Sequence, residues 1–209
     1  MDVGGTKLAA GIVDEEGCLL EQEETATPST SDAEEVFARL LTIVGTLARA
    51  ATVCGVGCGG PMTRGGEEVS PLNIPAWRGF PLRGRLQRAT GLPTYVDNDA
   101  KAVTLGEGWI GAAAGERDFL GMVVSTGVGG GIVLDGRLLD GAAGNAGHIG
   151  HIVVEPEGRP CTCGSRGCLE AEASGTAIRA LTGRPPWEAG PEVVSRTGRL
   201  VGRAVASVA

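Results

Sequence analysis

Aromatic residues are scarce, at 3% of the chain, and histidine occurs only twice. No apolar run reaches the about 18 residues that a membrane-spanning helix needs, so no membrane association is expected. The first residues, Met1 to Lys7, lack the basic segment and apolar block of a secretory signal. Six cysteines without such a signal suggest reduced thiols or a metal site rather than disulfides, and a cytoplasmic protein is expected. Positive charge is in the minority: 18 Lys and Arg against 25 Asp and Glu give a net charge of −7, with no electrostatic footprint for nucleic acid. The pattern G-x-x-x-x-G-K-[S/T] is absent, which excludes a P-loop. Glycine is what the chain has in excess. It makes up 36 of 209 residues, more than double the roughly 7% of ordinary proteins, and that implies many tight turns and close backbone approaches.

Hydrophobic periodicity predicts strands at 8–13 and 18–27 around a turn at Asp14 to Gly17. Ser31-Asp32-Ala33-Glu34 reads as a capping box, followed by Val36, Leu40, Ile43, Val44 and Leu47 at helical spacing, so 32–50 is expected to be a helix. Further on, a strand is expected at 52–57, a short helix at 82–90, a strand at 94–97 and a helix at 99–113. The run 119–124 reads as a buried strand that breaks at 125–131 and resumes at 132–134. One more strand is expected at 151–154, then an irregular Cys-rich loop over 155–168 and helices from about 169 and 190. Strands mixed with helices throughout give an α/β protein. The change of pattern near 115 divides it into an N-terminal lobe, 1–115, and a second lobe, 116–209.

Two glycine-rich segments could hold phosphate. In the first, Asp2-Val3-Gly4-Gly5-Thr6-Lys7, backbone N–H groups can converge on an anion while Thr6 and Lys7 add donors. Asp2 beside them is of a type that holds Mg²⁺. A plain Gly-Gly hairpin turn fits the same residues. The second, 125–131, carries Thr126, Gly127, Gly129 and Gly130, and a glycine bulge is its simpler reading. The run 55–60 matches G-x-G-x-x-G, but Pro61 and a glycine-rich loop follow instead of a helix, so a dinucleotide site is not expected.

Asp97-Asn98-Asp99 lies where a strand gives way to a helix, a position that suits either a helix cap or an active-site carboxylate. A carboxylate there could accept a hydroxyl proton, and the Asn98 amide could hold a neighbouring hydroxyl. Asn73, in the loop before Trp77, offers a second amide. His151, Cys161, Cys163 and Cys168 supply one imidazole and three thiols within 18 residues, a donor set that suits tetrahedral Zn²⁺ in a closed, structural site. Free buried thiols are the alternative. Cys18, Cys54 and Cys58 read as small core residues, and Arg78, Arg83, Arg85 and Arg88 as a solvated helix face.

Taken in order, the segments DVGGTK (2–7), GVGCGGP (55–61), NIPAWRGFP (73–81), VDNDAKA (96–102), STGVGGG (125–131) and AGHIGH…CTCGSRGCLE (146–170) resemble the ROK family of repressors and sugar kinases. The resemblance implies two ribonuclease-H-like lobes of the actin-like ATPase fold. It implies ATP-dependent phosphorylation of a hexose at its 6-hydroxyl, with Asp99 as catalytic base. ATP phosphates would be held by Asp2, Gly4, Gly5, Thr6 and Lys7 together with Thr126, Gly127, Gly129 and Gly130. Sugar hydroxyls would meet Asn73, Asn98, Asp99, His148, His151 and Glu170, and zinc would sit on His151, Cys161, Cys163 and Cys168. A homodimer is the usual assembly. Many family kinases carry glutamate where this chain has His148. The GHIGH form occurs in some N-acetylmannosamine kinases, so the sugar is open between glucose and other hexoses or N-acetylhexosamines. Family kinases also run longer, so the chain reads as lacking the C-terminal part of the second lobe and a few residues of the first strand. An inactive sugar-binding fragment is therefore a further expectation. A family repressor would need a DNA-binding segment ahead of the first glycine loop, which begins at residue 2.

Overall fold

A computed structural model describes all residues, 1–209. The chain forms two units: Met1–Glu116 with Asp140–Gly144, and Arg117–Leu139 with Asn145–Ala209.

The first unit is built on a five-stranded sheet of order β3-β2-β1-β4-β5. Its strands are β1 (Asp2–Val3), β2 (Lys7–Val13), β3 (Leu19–Ala26), β4 (Cys54–Cys58) and β5 (Thr94–Asn98), joined through helices α1 (Ala33–Leu47) and α2 (Leu82–Thr90) and followed by α3 (Asp99–Ile110). β1 runs antiparallel to β2 but parallel to β4, and β4 parallel to β5. The register puts Asp2 opposite Gly57 and Gly57 opposite Asp97, so the carboxyl ends of three parallel strands finish side by side. α1 covers the sheet because Val36, Phe37, Leu40, Ile43, Val44 and Leu47 repeat at helical spacing and are all buried. Each such side chain contributes about 1.5–3 kcal/mol of apolar burial.

Caps and pairs decide the details. The start of α1 is not the expected box: Asp32 is the cap and accepts the Glu34 amide at 2.8 Å, while the Glu34 carboxylate pairs with both terminal nitrogens of Arg85. Arg85 in turn lies 4.2 Å over the Phe37 ring and 5.0 Å from Phe80. The arginine cluster is thus not a purely solvated face. Arg78 precedes α2 and donates to the carbonyls of Pro71, Ile74 and Trp77. Trp77 is fully buried, stacks on Phe80 at 4.4 Å and donates its indole N–H to Ala33 O.

The second unit carries an antiparallel sheet of order β6-β7-β8, from β6 (Phe119–Val124), β7 (Val128–Leu134) and β8 (Arg137–Leu138). Helices α4 (Leu169–Ala173), α5 (Gly175–Thr182) and α6 (Pro191–Ala206) complete it. Val128, Val154, Leu169, Ala173, Leu200 and Ala204 form its core. Two expectations change here. The strand expected at 151–154 is instead a 3₁₀ turn, Ile149–His151, followed by a single bridge from Val153 to Cys168. β7 also starts at Val128, inside the segment expected to be loop. The reason is packing: a Cβ at Gly130 would collide with Ile149, and one at Gly150 with the Val128 carbonyl. Those glycines let the 147–150 turn lie directly on the strand. No helix is long and apolar enough to cross a membrane.

Candidate active site and metal centre

In the first unit the polar groups gather at the carboxyl ends of β1, β4 and β5, the position ligands favour in parallel sheets. Asn98 caps α3. Its side-chain oxygen and Asp99 Oδ1 both accept from the Ala100 amide, at 3.0 and 2.9 Å. Capping therefore uses the Asn98 oxygen and leaves its NH₂ donors, and Asp99 keeps Oδ2. Gly57 lets the helix start approach, since a Cβ there would lie 3.3 Å from Asp99 Cα. Asp2 has its carboxyl pushed above the usual range by burial first and by the nearby negative charge of Asp99 second. Cys58 is pushed up to about 12, mainly by burial, with Asp99 and Asp2 adding to it. A cluster of two carboxylates and a neutral thiol results, and its charge favours a cation.

Loop 4–6 joins β1 to β2. The Gly4 amide donates to Lys7 O, and Thr27 Oγ1 donates to Gly4 O at 2.7 Å. Gly5 is obligatory in this packing: a Cβ would stand 2.6 Å from both Asn73 Cβ and Asn73 O. Asn73 Oδ1 would also lie 3.4 Å from a Cβ on Gly59, so this side chain sits over the ends of the loop and of β4. Lys7 pairs with Glu24 across the hairpin at 3.0 Å, with both side chains half exposed.

In the second unit the hairpin loop 125–127 is tied down by the segment after the cysteines. Gly175 N donates to Ser125 O at 2.7 Å, Thr176 Oγ1 to Thr126 O at 2.9 Å, and the Val128 amide to Glu170 Oε2 at 3.0 Å. A Cβ at Gly127 would come within 2.8 Å of that same carboxylate oxygen. His148 precedes the 3₁₀ turn, and its ring lies 6.4 Å from that of His151 in an edge arrangement.

His151, Cys161, Cys163 and Cys168 bring one imidazole nitrogen and three sulfurs within 4.8 Å of one another, close enough to hold one metal ion. Cys163 Sγ to Cys168 Sγ is 3.7 Å and Cys161 Sγ to His151 Nδ1 is 3.6 Å. Around a tetrahedral ion with metal–sulfur bonds of about 2.3 Å and metal–nitrogen bonds of about 2.0 Å, those edges would be about 3.8 and 3.5 Å, so the residues fit. The loop is shaped by Gly164 and Gly167 at φ +91° and +65°, and a Cβ at Gly167 would collide with the Glu155 carbonyl. Cys168 is fully buried and its thiol is pushed up to about 12, by burial and then by its sulfur neighbours. Cys163 is lowered, first by a backbone hydrogen bond at Ser165. Of the other cysteines, Cys54 and Cys58 are buried as expected, but Cys18 is exposed in the β2–β3 turn.

Two residues missed by sequence reasoning support these loops. Lys101, one turn into α3, is fully buried and donates to Asp140 Oδ1 at 2.8 Å and Gly144 O at 2.9 Å, with Asp97 Oδ1 at 3.7 Å. It pins the segment Asp140–Gly144. Glu172, 2% exposed, accepts the Arg159 amide at 2.5 Å and pairs with Arg196 at 2.6 Å, which anchors the entry to the Cys-rich loop. A charged residue on the apolar face of a helix was the available signal in both cases.

The mixed sheet of the first unit and the polar strand ends define an α/β protein of the actin-like ATPase fold. Residues 1–203 match the ROK family, and the chain belongs to that family. It is 40% identical over 183 residues to the glucokinase of Thermotoga maritima, covering 86% of this chain and 57% of that protein. It is 41% identical over 181 residues to the N-acetylmannosamine kinase of Citrobacter koseri, covering 86% and 62%. The chain thus spans about three-fifths of the length of these curated relatives. Among solved structures, the ROK hexokinase of Thermus thermophilus superposes with a TM-score of 0.86 at 37% identity, over 99% of this chain and 75% of that one. The Streptomyces griseus ROK glucokinase in complex with glucose and AMPPNP gives 0.71 at 35%, over 99% and 70%. The relatives are sugar kinases, and this chain shares their fold.

Proposed function

We propose that the protein transfers the γ-phosphoryl group of ATP to the 6-hydroxyl of a hexose, with Asp99 as general base. One observation carries this reading: the carboxyl ends of β1, β4 and β5 bring Asp2, Asn98 and Asp99 to one end of the sheet beside the Gly4-Gly5 loop. Asp99 Oδ2 takes the proton as the sugar oxygen attacks phosphorus, a role worth about 10²–10⁴-fold in rate. The Asn98 NH₂ and the Asn73 amide orient the sugar, together with His148, His151 and Glu170. Asp2, held between burial and the Asp99 charge, favours the Mg²⁺ that accompanies ATP. Backbone amides around Gly4, Gly5 and Thr6, with Lys7, and around Thr126, Gly127, Gly129 and Gly130, receive the phosphate oxygens.

The metal of the His-Cys₃ cluster is zinc on this reading, because three sulfurs and an imidazole at tetrahedral separations suit it. Four protein ligands close the site, so the ion fixes the loop and takes no part in the chemistry. His151 turns Nδ1 toward Cys161, which leaves Nε2 for a sugar hydroxyl.

A second reading, an N-acetylmannosamine kinase, is favoured by the 41% identity to such an enzyme and by His148 in the GHIGH sequence. A coupled assay of ADP release across glucose, mannose and N-acetylmannosamine separates the two. The 6-deoxy analogue of the preferred sugar should bind without turnover. A phosphorylated product formed from the 6-deoxy sugar would overturn the regiochemistry, and no sugar-dependent release of ADP at all would overturn the function.

A further inference from the structure

Glu170 occupies an unusual place for a group expected only to meet sugar. Its Oε2 accepts the Val128 amide at 3.0 Å. The same oxygen takes up the space beside Gly127, where a Cβ would stand 2.8 Å away. Four hydrogen bonds hold the 125–128 hairpin to the segment 170–176, but three of them go to carbonyls: Gly175 N–H to Ser125 O, and both the N–H and Oγ1 of Thr176 to Thr126 O. Only Glu170 binds a loop N–H. A carboxylate therefore occupies one of the donors that would otherwise be available to a phosphate, and it sets a negative charge against an anion cradle.

We propose that Glu170 is a positioning residue that couples the two substrates: Oε2 braces the glycine loop through Val128 while Oε1 accepts a sugar hydroxyl. The inference rests on the reading of the site as a sugar kinase. Without that hydroxyl, the carboxylate's tie to this loop is a single N–H and its charge opposes incoming phosphate. A hydroxyl donated to Oε1 spreads that charge and fixes the side chain, so the loop is set for nucleotide when sugar is bound. Coupling of this kind is reciprocal, so nucleotide must strengthen sugar binding by the same factor. The second tether, Thr176 Oγ1, binds a carbonyl and has no means of sensing sugar.

The test is calorimetric titration of AMPPNP into the wild type, Glu170→Gln and Thr176→Val, each with and without saturating glucose or N-acetylmannosamine. Wild type and Thr176→Val should bind AMPPNP at least about fivefold more tightly with the preferred sugar, the lower end of ordinary coupling. In Glu170→Gln the two affinities should agree within about twofold, because the charge that opposes phosphate is gone. Exchange of the Val128 amide should also be faster in Glu170→Gln than in wild type, which reports the brace directly. Equal sugar dependence in wild type and Glu170→Gln, or a wild type whose AMPPNP affinity ignores sugar, would overturn the coupling while leaving the kinase reading intact. A wild type that binds neither AMPPNP nor sugar would overturn both.

Discussion

Glu172→Gln removes one charge from the most connected carboxylate of the second unit while keeping its shape. The native side chain is 2% exposed, accepts the Arg159 amide at 2.5 Å and pairs with Arg196 at 2.6 Å. Arg159 and Arg196 are each 32% exposed, so both stay hydrated when their partner is neutralised. The loss should therefore be smaller than the about 3–5 kcal/mol of breaking a fully buried pair. We expect about 2–3 kcal/mol, the value of a charged hydrogen bond or two. Burial by itself would raise the Glu172 carboxyl, but the Arg159 amide, the Arg196 side chain and the charge of both arginines outweigh it and hold the group below 4.5. A depressed carboxyl stabilises the fold above its unfolded-state value, and that stabilisation disappears as pH falls through the folded-state value. Urea unfolding of both proteins, followed by circular dichroism between about pH 7 and pH 3, should show a stability gap that is flat near neutrality and closes below about pH 4.5. Because Arg159 leads into Cys161, the variant should also bind zinc about tenfold more weakly, as loss of a supporting shell does. A gap that does not change with pH, or one that widens in acid, would refute this account of Glu172.

Zinc binding should tighten between about pH 6 and pH 8, since the thiols must give up protons to ligate, and Cys163→Ser should weaken it by at least about tenfold; competition with a chromophoric chelator reads both. Lys101→Met should cost about 1–3 kcal/mol by leaving the Gly144 carbonyl without its donor, and limited proteolysis should then cut faster within Asp140–Gly144. Unchanged cleavage would remove Lys101 from its anchoring role.

Elements with strong periodicity were legible beforehand. The expected helix at 82–90 is α2, Leu82–Thr90, and the run 119–124 is β6, but β6 is only half-buried with Val124 exposed rather than the buried strand that its apolar run suggested. Asp32 rather than Ser31 caps α1 because Arg85, 51 residues from Glu34, draws that carboxylate away from the helix start. No local pattern encodes such a contact. The glycines at 129–131 looked like loop because their reason, a turn from 147–150 resting on the strand, lies elsewhere in the chain. The metal cluster was legible from ligand type and spacing. The supporting roles of Lys101 and Glu172 were not, because a charge among the apolar positions of a helix signals burial but does not say which distant groups it pairs with.

In the proposed reaction Asp99 removes the proton from the sugar hydroxyl. Steady-state ADP release by Asp99→Asn, measured beside calorimetric sugar binding, tests it most directly. Sugar affinity should stay within a few-fold of wild type while turnover falls at least about a hundredfold. Turnover within a few-fold of wild type in that variant would contradict the claim.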